Sequence, residues 1–298
     1  MFKHNTLLLP IILFLSCFNI LYGQTENLPF NSKFYDAFDQ WVVVQGNDGD
    51  NMASVGFIYL DEEAGPTFFY QGNIDLKAKE LSLTKLLEDA SIRMRLDANT
   101  SDVAILSADQ VKALGLKPIP DWLLPYQRNK GTDAYEISKG RWLNAVGASH
   151  RALPVLQALY QKNPHADGLE FELAYAYNAN KSFYKAVVVL NEAIKHDPNN
   201  FWYYRELGYA YKYLNNITEA EKMYKKGISL TQNKYQQAEM AVNMLQGYFH
   251  IMDRPKYEEW KNLLIQYAEP GVVFLQYIKL FDDNWGKHAE EGQSNDLN

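Results

Sequence analysis

The chain has 298 residues, 47% hydrophobic, 14% aromatic and 22% charged, which describes a folded protein of one or two domains and excludes an intrinsically disordered one. Its 29 basic residues against 36 acidic ones give a net charge of −7 with no Lys/Arg-rich run, so the basic footprint needed for nucleic acid is missing and no nucleic-acid partner is expected. Two counts stand out: a single cysteine, Cys17, and 21 tyrosines.

Residues 1–23 have the pattern of an export signal. Lys3 supplies the positive start, Leu7 to Phe18 form an apolar stretch, and no Asp, Glu, Lys or Arg follows until Glu26. Pro10, Ser16 and Asn19 interrupt that stretch, leaving it short of the ~20 residues that span a bilayer. Gly23 offers a small residue for cleavage, so the expected product is a soluble periplasmic or secreted protein. The alternative is a lipoprotein: Leu15-Ser16-Cys17 resembles a lipidation box, and a membrane is engaged only if Cys17 is acylated. Cleavage after Gly23 removes the only thiol, and with it disulfides, thiol nucleophiles and cysteine-ligated zinc.

Residues 24–131 read as a small α+β domain. Trp41 to Val44, Val55 to Leu60 and Thr67 to Ile74 are short β-branched or aromatic runs separated by Gly, Asn, Asp and Pro, the pattern of an antiparallel meander. Ser91 to Leu96 alternates Ile92, Met94 and Leu96 with two arginines, which predicts a half-exposed strand, and Val103 to Leu106 is a further candidate. Ser107 and Gln110 stand at capping-box spacing before a short helix that Gly115 stops. Pro118, Pro120 and Pro125 then form a stiff linker.

The remainder is periodic. Phe171 to Asn178 (FELAYAYN) aligns with Arg205 to Lys212 (RELGYAYK) at an offset of 34, and Ala186, Leu190 and Ala193 align with Ala220, Tyr224 and Gly227 at the same offset. A 34-residue unit with small residues at fixed places and a closing proline, here Pro198, resembles the tetratricopeptide repeat. The resemblance implies an α-solenoid of helix-turn-helix units over 132–269: residues 133–166, 167–200, 201–234 and a degenerate 235–269 that accepts about two extra residues near Asp253-Arg254-Pro255. Pro154 departs from the pattern and is expected to kink or delay the second helix of the first unit. Val273, Phe274, Tyr277, Ile278 and Phe281 keep a helical period and predict a capping helix over 270–285, and the polar residues 286–298 predict a disordered tail. The expected fold class is therefore mainly α, a solenoid preceded by a small α+β domain.

The search for chemistry finds little. Gly-x-Ser-x-Gly, His-Glu-x-x-His, phosphate-loop and dinucleotide fingerprints are all missing. His150 and His250 have no ligand-type residue four positions on, while His165 and His196 fall near unit ends and read as solvated loop residues. Asn47 to Asn51 lacks the closing glutamate of a calcium loop and reads as a polar turn. Asp61, Glu62 and Glu63 are adjacent in a turn and point in different directions, again a solvated loop. No catalytic residue, metal or cofactor is assigned.

Sixteen of the 21 tyrosines lie from Asp133 onward. The resemblance places first-helix positions 2, 5, 9 and 12 on the inner, ligand-facing side, and those offsets share one helical face. They select Ile137, Arg141 and Asn144; Phe171, Tyr175 and Asn178; Trp202, Arg205, Tyr209 and Lys212; and Gln236, Glu239, Asn243 and Gln246. From these, Arg141, Asn144, Phe171, Tyr175, Asn178, Trp202, Arg205, Tyr209, Lys212 and Asn243 are the candidate partner-binding residues. Rings supply contact area, Arg suits carboxylates and Asn suits backbone amides. The two-Lys, two-Asn and Arg clamp by which some relatives hold a C-terminal carboxylate is not reproduced. The expected function is a non-catalytic interaction or scaffold protein of the bacterial envelope that binds a protein or peptide on the concave face. The alternatives are a hydrolase or small-ligand domain in residues 24–131 with the repeats as a recruitment module, and glycan binding by the same rings.

Overall fold

The computed structural model describes residues 28–46, 51–85 and 91–287. The expected signal, Asn47 to Asp50 of the polar turn, and the tail from residue 288 lie outside these. Packing divides the described chain into two compact units: residues 28–58, 69–92 and 101–120 form the first, and 59–68, 93–100 and 121–287 the second.

Five strands form one sheet: β1 (Gln40–Gln45), β2 (Met52–Asp61), β3 (Gly65–Asp75), β4 (Arg93–Arg95) and β5 (Val103–Ile105), in the order β4-β3-β2-β1-β5. β1 pairs antiparallel with β2, Val43 opposite Val55, and with β5, Val43 opposite Ala104. The central strand β2 is buried over most of its length, and Val42, Val43, Val55, Phe57 and Ile58 fill the core of the first unit. Trp41 donates its Nε1–H to the Lys117 carbonyl at 2.8 Å. The capping box forms as the spacing predicts, Ser107 and Gln110 opening α1 (Ala108–Ala113), with Gly115 left-handed at φ +67° just beyond it. The expectation for Ser91 to Leu96 is corrected. Only Arg93–Arg95 is a strand, and all three residues are exposed because it is the sheet edge, where charged side chains discourage further pairing.

In the second unit eight helices make four hairpins: α2 (Asp133–Ala145) with α3 (Ser149–Lys162), α4 (Leu169–Ala179) with α5 (Phe183–His196), α6 (Phe201–Tyr213) with α7 (Ile217–Leu230), and α8 (Lys234–His250) with α9 (Arg254–Tyr267). The fold is mainly helical, as the period predicts. Small residues let the paired helices close: a Cβ on Gly140 would stand 2.6 Å from Leu156, and one on Gly208 2.9 Å from the Tyr224 ring. Every hairpin corner holds one left-handed residue, Gly147, Lys181, Asn215 and Met252 at φ +57° to +78°. The first three repeat at 34, whereas Met252 follows Asn215 by 37. The insertion in the fourth unit is therefore three residues rather than about two, and it lengthens α8 ahead of the corner instead of the turn at Asp253. Pro154 does not delay α3, which starts five residues earlier and carries the proline inside it.

The hairpin tip of residues 59–68 packs on α2. The Glu62 carbonyl accepts from Trp142 Nε1 at 3.1 Å and Ser138 Oγ at 3.4 Å, while Asp61 Oδ1 accepts the Glu63 and Ala64 amides. Gly65, at φ +88°, faces the Trp142 ring with no room for a Cβ. Ser138 and Trp142 stand where Glu172 and Ala176 stand in the second unit, and Glu172 bonds the preceding repeat. The tip thus takes the place of a repeat before the first. Asp61, Glu62 and Glu63, expected to form a solvated loop, serve this seat.

At the other end a 3-10 turn (Val273–Leu275) leads into α10 (Gln276–Asp283), whose Phe281 stacks on Phe249 at 4.7 Å. Behind α8, Glu221 on α7 accepts from Lys225 and Lys256 at 2.8 Å, Tyr248 at 2.8 Å and Trp260 at 3.2 Å. Burial alone would raise its pKa, but these four donors outweigh burial and hold it at about 2. A depressed carboxylate stabilises the fold above its ordinary value of 4.5, and that contribution is lost as pH falls from there toward 2. With the lysines partly in solvent, the contribution is about 1–2 kcal/mol. Glu221→Gln is therefore expected to lower stability at pH 7 by that amount and to flatten the acid limb of a urea-unfolding series between pH 5 and 2. An unchanged acid limb contradicts the assignment.

Candidate functional site

Successive first helices, α2 with α4, α4 with α6 and α6 with α8, touch one another, whereas successive second helices approach less closely. The stack therefore curves toward its first helices, whose shared face is the inner side. Cavities lined by described residues open along it. One of about 340 Å³ lies beside Ile137, Arg141 and Glu172, and one of about 230 Å³ lies between Glu239, Gln246 and the rings of Phe274 and Tyr277. Between them one of about 220 Å³ is walled by Tyr175, Asn178, Arg205, Tyr209, Glu239 and Asn243.

The candidate residues fall into two groups. Asn144 and Asn178 are buried, and each donates to a glutamate one repeat on. Asn144 Nδ2 reaches the carbonyl and Oε2 of Glu172 at 3.0 and 2.8 Å, and Asn178 Nδ2 reaches the same atoms of Glu206 at 3.1 and 3.0 Å. Arg205 lies over Trp202 at 4.4 Å and Phe171 at 5.6 Å, and gives its N–H groups to Glu206, Gln236 and Glu239 at 2.8–3.2 Å. Lys212 donates to Asn243 Oδ1 and Gln246 Oε1 at 2.8 Å, and Asn243 donates to the Glu239 carbonyl. These side chains tie repeat to repeat. Burial holds the Lys212 ammonium down to about 7, consistent with its having no carboxylate partner among the described residues. Tyr175 and Tyr209 form the second group, half-buried walls of the middle cavity, with Arg141 exposed at the far end.

Glu172 and Glu239 both have raised pKa values. Burial is the main cause in each, opposed by the Asn144 hydrogen bond and Arg141 for Glu172 and by Arg205 for Glu239. Near the unit ends His165 and His196 stack at 4.1 Å, and His165 Nδ1 lies 3.0 Å from Glu170; both residues stay exposed, as expected from the sequence. Among the described residues, no group of three or more His, Cys, Asp or Glu is placed to hold a metal ion, and no helix is long and apolar enough to cross a membrane.

Residues 203–234 match the family model of the tetratricopeptide repeat. That stretch, which is nearly all of the third hairpin, is a tetratricopeptide repeat. Solved structures similar to the chain include TTC0263, a thermophilic tetratricopeptide-repeat protein of Thermus thermophilus, at 15% identity over 53% of this chain and 86% of that one, with a TM-score of 0.46. A MamA RS-1 double mutant is 16% identical over 49% of this chain and 81% of its own, with a TM-score of 0.42. A search of curated proteins finds no match.

Within the tetratricopeptide frame, the residues missed from sequence are Glu172 and Glu206, which occupy position 6 and receive the asparagine ladder. Their signal was present, since the Glu-Leu pair is part of what sets the 34-residue offset. A buried glutamate in a hydrophobic helix face needs a partner, and position 12 of the preceding unit supplies it.

Proposed function

We propose that this chain is a non-catalytic interaction protein exported to the bacterial envelope, holding a protein segment along the inner face of its tetratricopeptide repeats. Tetratricopeptide repeats serve as protein-interaction surfaces, and export rests on the pattern of residues 1–23. The observation that carries the reading is the division of labour on that face. The donors of Asn144, Asn178, Arg205 and Lys212 are consumed in rigidifying the stack, while Tyr175 and Tyr209 wall an open cavity with ring surface and hydroxyls. Half-buried aromatics on a rigid scaffold are the usual anchors of a protein interface. The test is affinity capture from a periplasmic extract of the source organism by wild type and by a Tyr175→Ala, Tyr209→Ala variant. The proposal expects partners on the wild type that the variant loses, and equal recovery by both contradicts it.

A further inference from the structure

The middle cavity also states what its occupant must carry. Its lining holds two carboxylates, Glu206 and Glu239, against one guanidinium, Arg205. Arg205 is spent: Nε and Nη2 donate to Glu206 Oε1, and Nη1 donates to Gln236 and Glu239 Oε2. No two-pronged donor remains for a ligand carboxylate. Lys212 does not line the cavity and gives its protons to Asn243 and Gln246. The open group is an acceptor, and it belongs to Glu239; Asn178 lines the cavity, but its unpartnered Oδ1 is itself buried, like that of Asn144 one repeat earlier. Glu239 uses only Oε2, toward Arg205, and its side chain keeps 29% of its surface open. Burial raises the pKa of the Tyr175 hydroxyl, and the carboxylates of Glu206, Glu172 and Glu239 add to the rise against Arg205.

An open acceptor, an uncompensated negative charge and two tyrosine faces make the environment of an organic cation, whose N–H groups take that acceptor while its stem lies on the rings. At about 220 Å³ the cavity is below the roughly 300 Å³ at which small-molecule sites begin and suits one side chain. We propose that the partner segment inserts a lysine or arginine side chain between Tyr175 and Tyr209, its charged head on Glu239. This rests on the inner-face reading above and adds the chemistry of its central anchor, the reverse of a carboxylate clamp.

The test uses the full mature chain and a displayed library of random dodecapeptides, with selected peptides synthesised and titrated. The expected peptides lose binding to the Tyr175→Ala, Tyr209→Ala variant and share a Lys or Arg. Replacing that residue by norleucine weakens wild-type binding about tenfold and leaves Glu239→Gln binding unchanged, while Glu239→Asp retains part of the preference. Thermal unfolding of the Glu239 variants near the wild-type temperature separates the effect from misfolding. Peptides that need the two tyrosines yet carry no shared cation, or bind Glu239→Gln as tightly, overturn the cationic anchor and leave inner-face binding standing. Peptides indifferent to the tyrosines, or no peptide at all, overturn both.

Discussion

Trp260→Ala is expected to lower stability by about 3–5 kcal/mol and the unfolding temperature by roughly 10 °C. Trp260 is fully buried in the cluster formed by α7, α8, α9 and Phe281, beside Tyr224, Leu245, Tyr257 and Leu264. Its removal leaves a cavity of indole size that rigid helix pairs cannot close, and it takes one donor from Glu221. Because a solenoid's stability is a sum over units and nearest-neighbour interfaces, the loss should be local. Hydrogen exchange should therefore show α8, α9 and α10 opening first, with α2 to α5 close to wild type. Trp260→Phe keeps most of the volume and loses only the hydrogen bond, so about 1–2 kcal/mol is expected. A Trp260→Ala loss below about 1 kcal/mol, or a uniform loss along the stack, contradicts the assignment of this residue as the keystone of the fourth repeat.

The second large effect is on binding. The Tyr175→Ala, Tyr209→Ala variant removes both aromatic walls of the middle cavity. Interface aromatics of this kind are worth about 2 kcal/mol or more each, so partner affinity should fall at least 100-fold. The fold should survive, because both rings are only half-buried and the ladders Asn144–Glu172 and Asn178–Glu206 and the bonds of Arg205 do not depend on them. Trp202 and Arg205 are poorer choices for such a test. Arg205 holds three side chains beneath two rings, so truncating it disturbs the stack as well as its surface. Affinity measured by titration, beside thermal unfolding of the same samples, separates the two. Undiminished affinity contradicts the placement of the site.

The repeat half was readable in the sequence because its period is enforced by steric closeness. Gly140 and Gly208 meet Leu156 and Tyr224 at distances no side chain tolerates, so small residues recur at 34 and the helices follow. That positions 2, 5, 9 and 12 share one side of the first helix was readable too, since those offsets fall together on any helix. What each of them does was not. An asparagine or arginine on that face can hold a ligand or hold the next repeat, and the choice depends on Glu172, Glu206 and Glu239, which only the stacking of units brings within 3 Å or so. The three-residue insertion escaped because it extends α8 rather than breaking it, and only the left-handed Met252 fixes its place. The seat of the β2–β3 tip on α2 joins Glu62 to Trp142 across 80 residues, a pairing that no local pattern encodes.

The most direct test of inner-face binding is site-specific photo-cross-linking in the cells that make the protein. A photoreactive residue in place of Ala179 sits at the mouth of the middle cavity, and one in place of Tyr184 sits on the outer helix α5, where the native side chain is 75% exposed. The account predicts a discrete cross-linked partner from position 179 and none from position 184. Cross-links from 184 with none from 179 would contradict it.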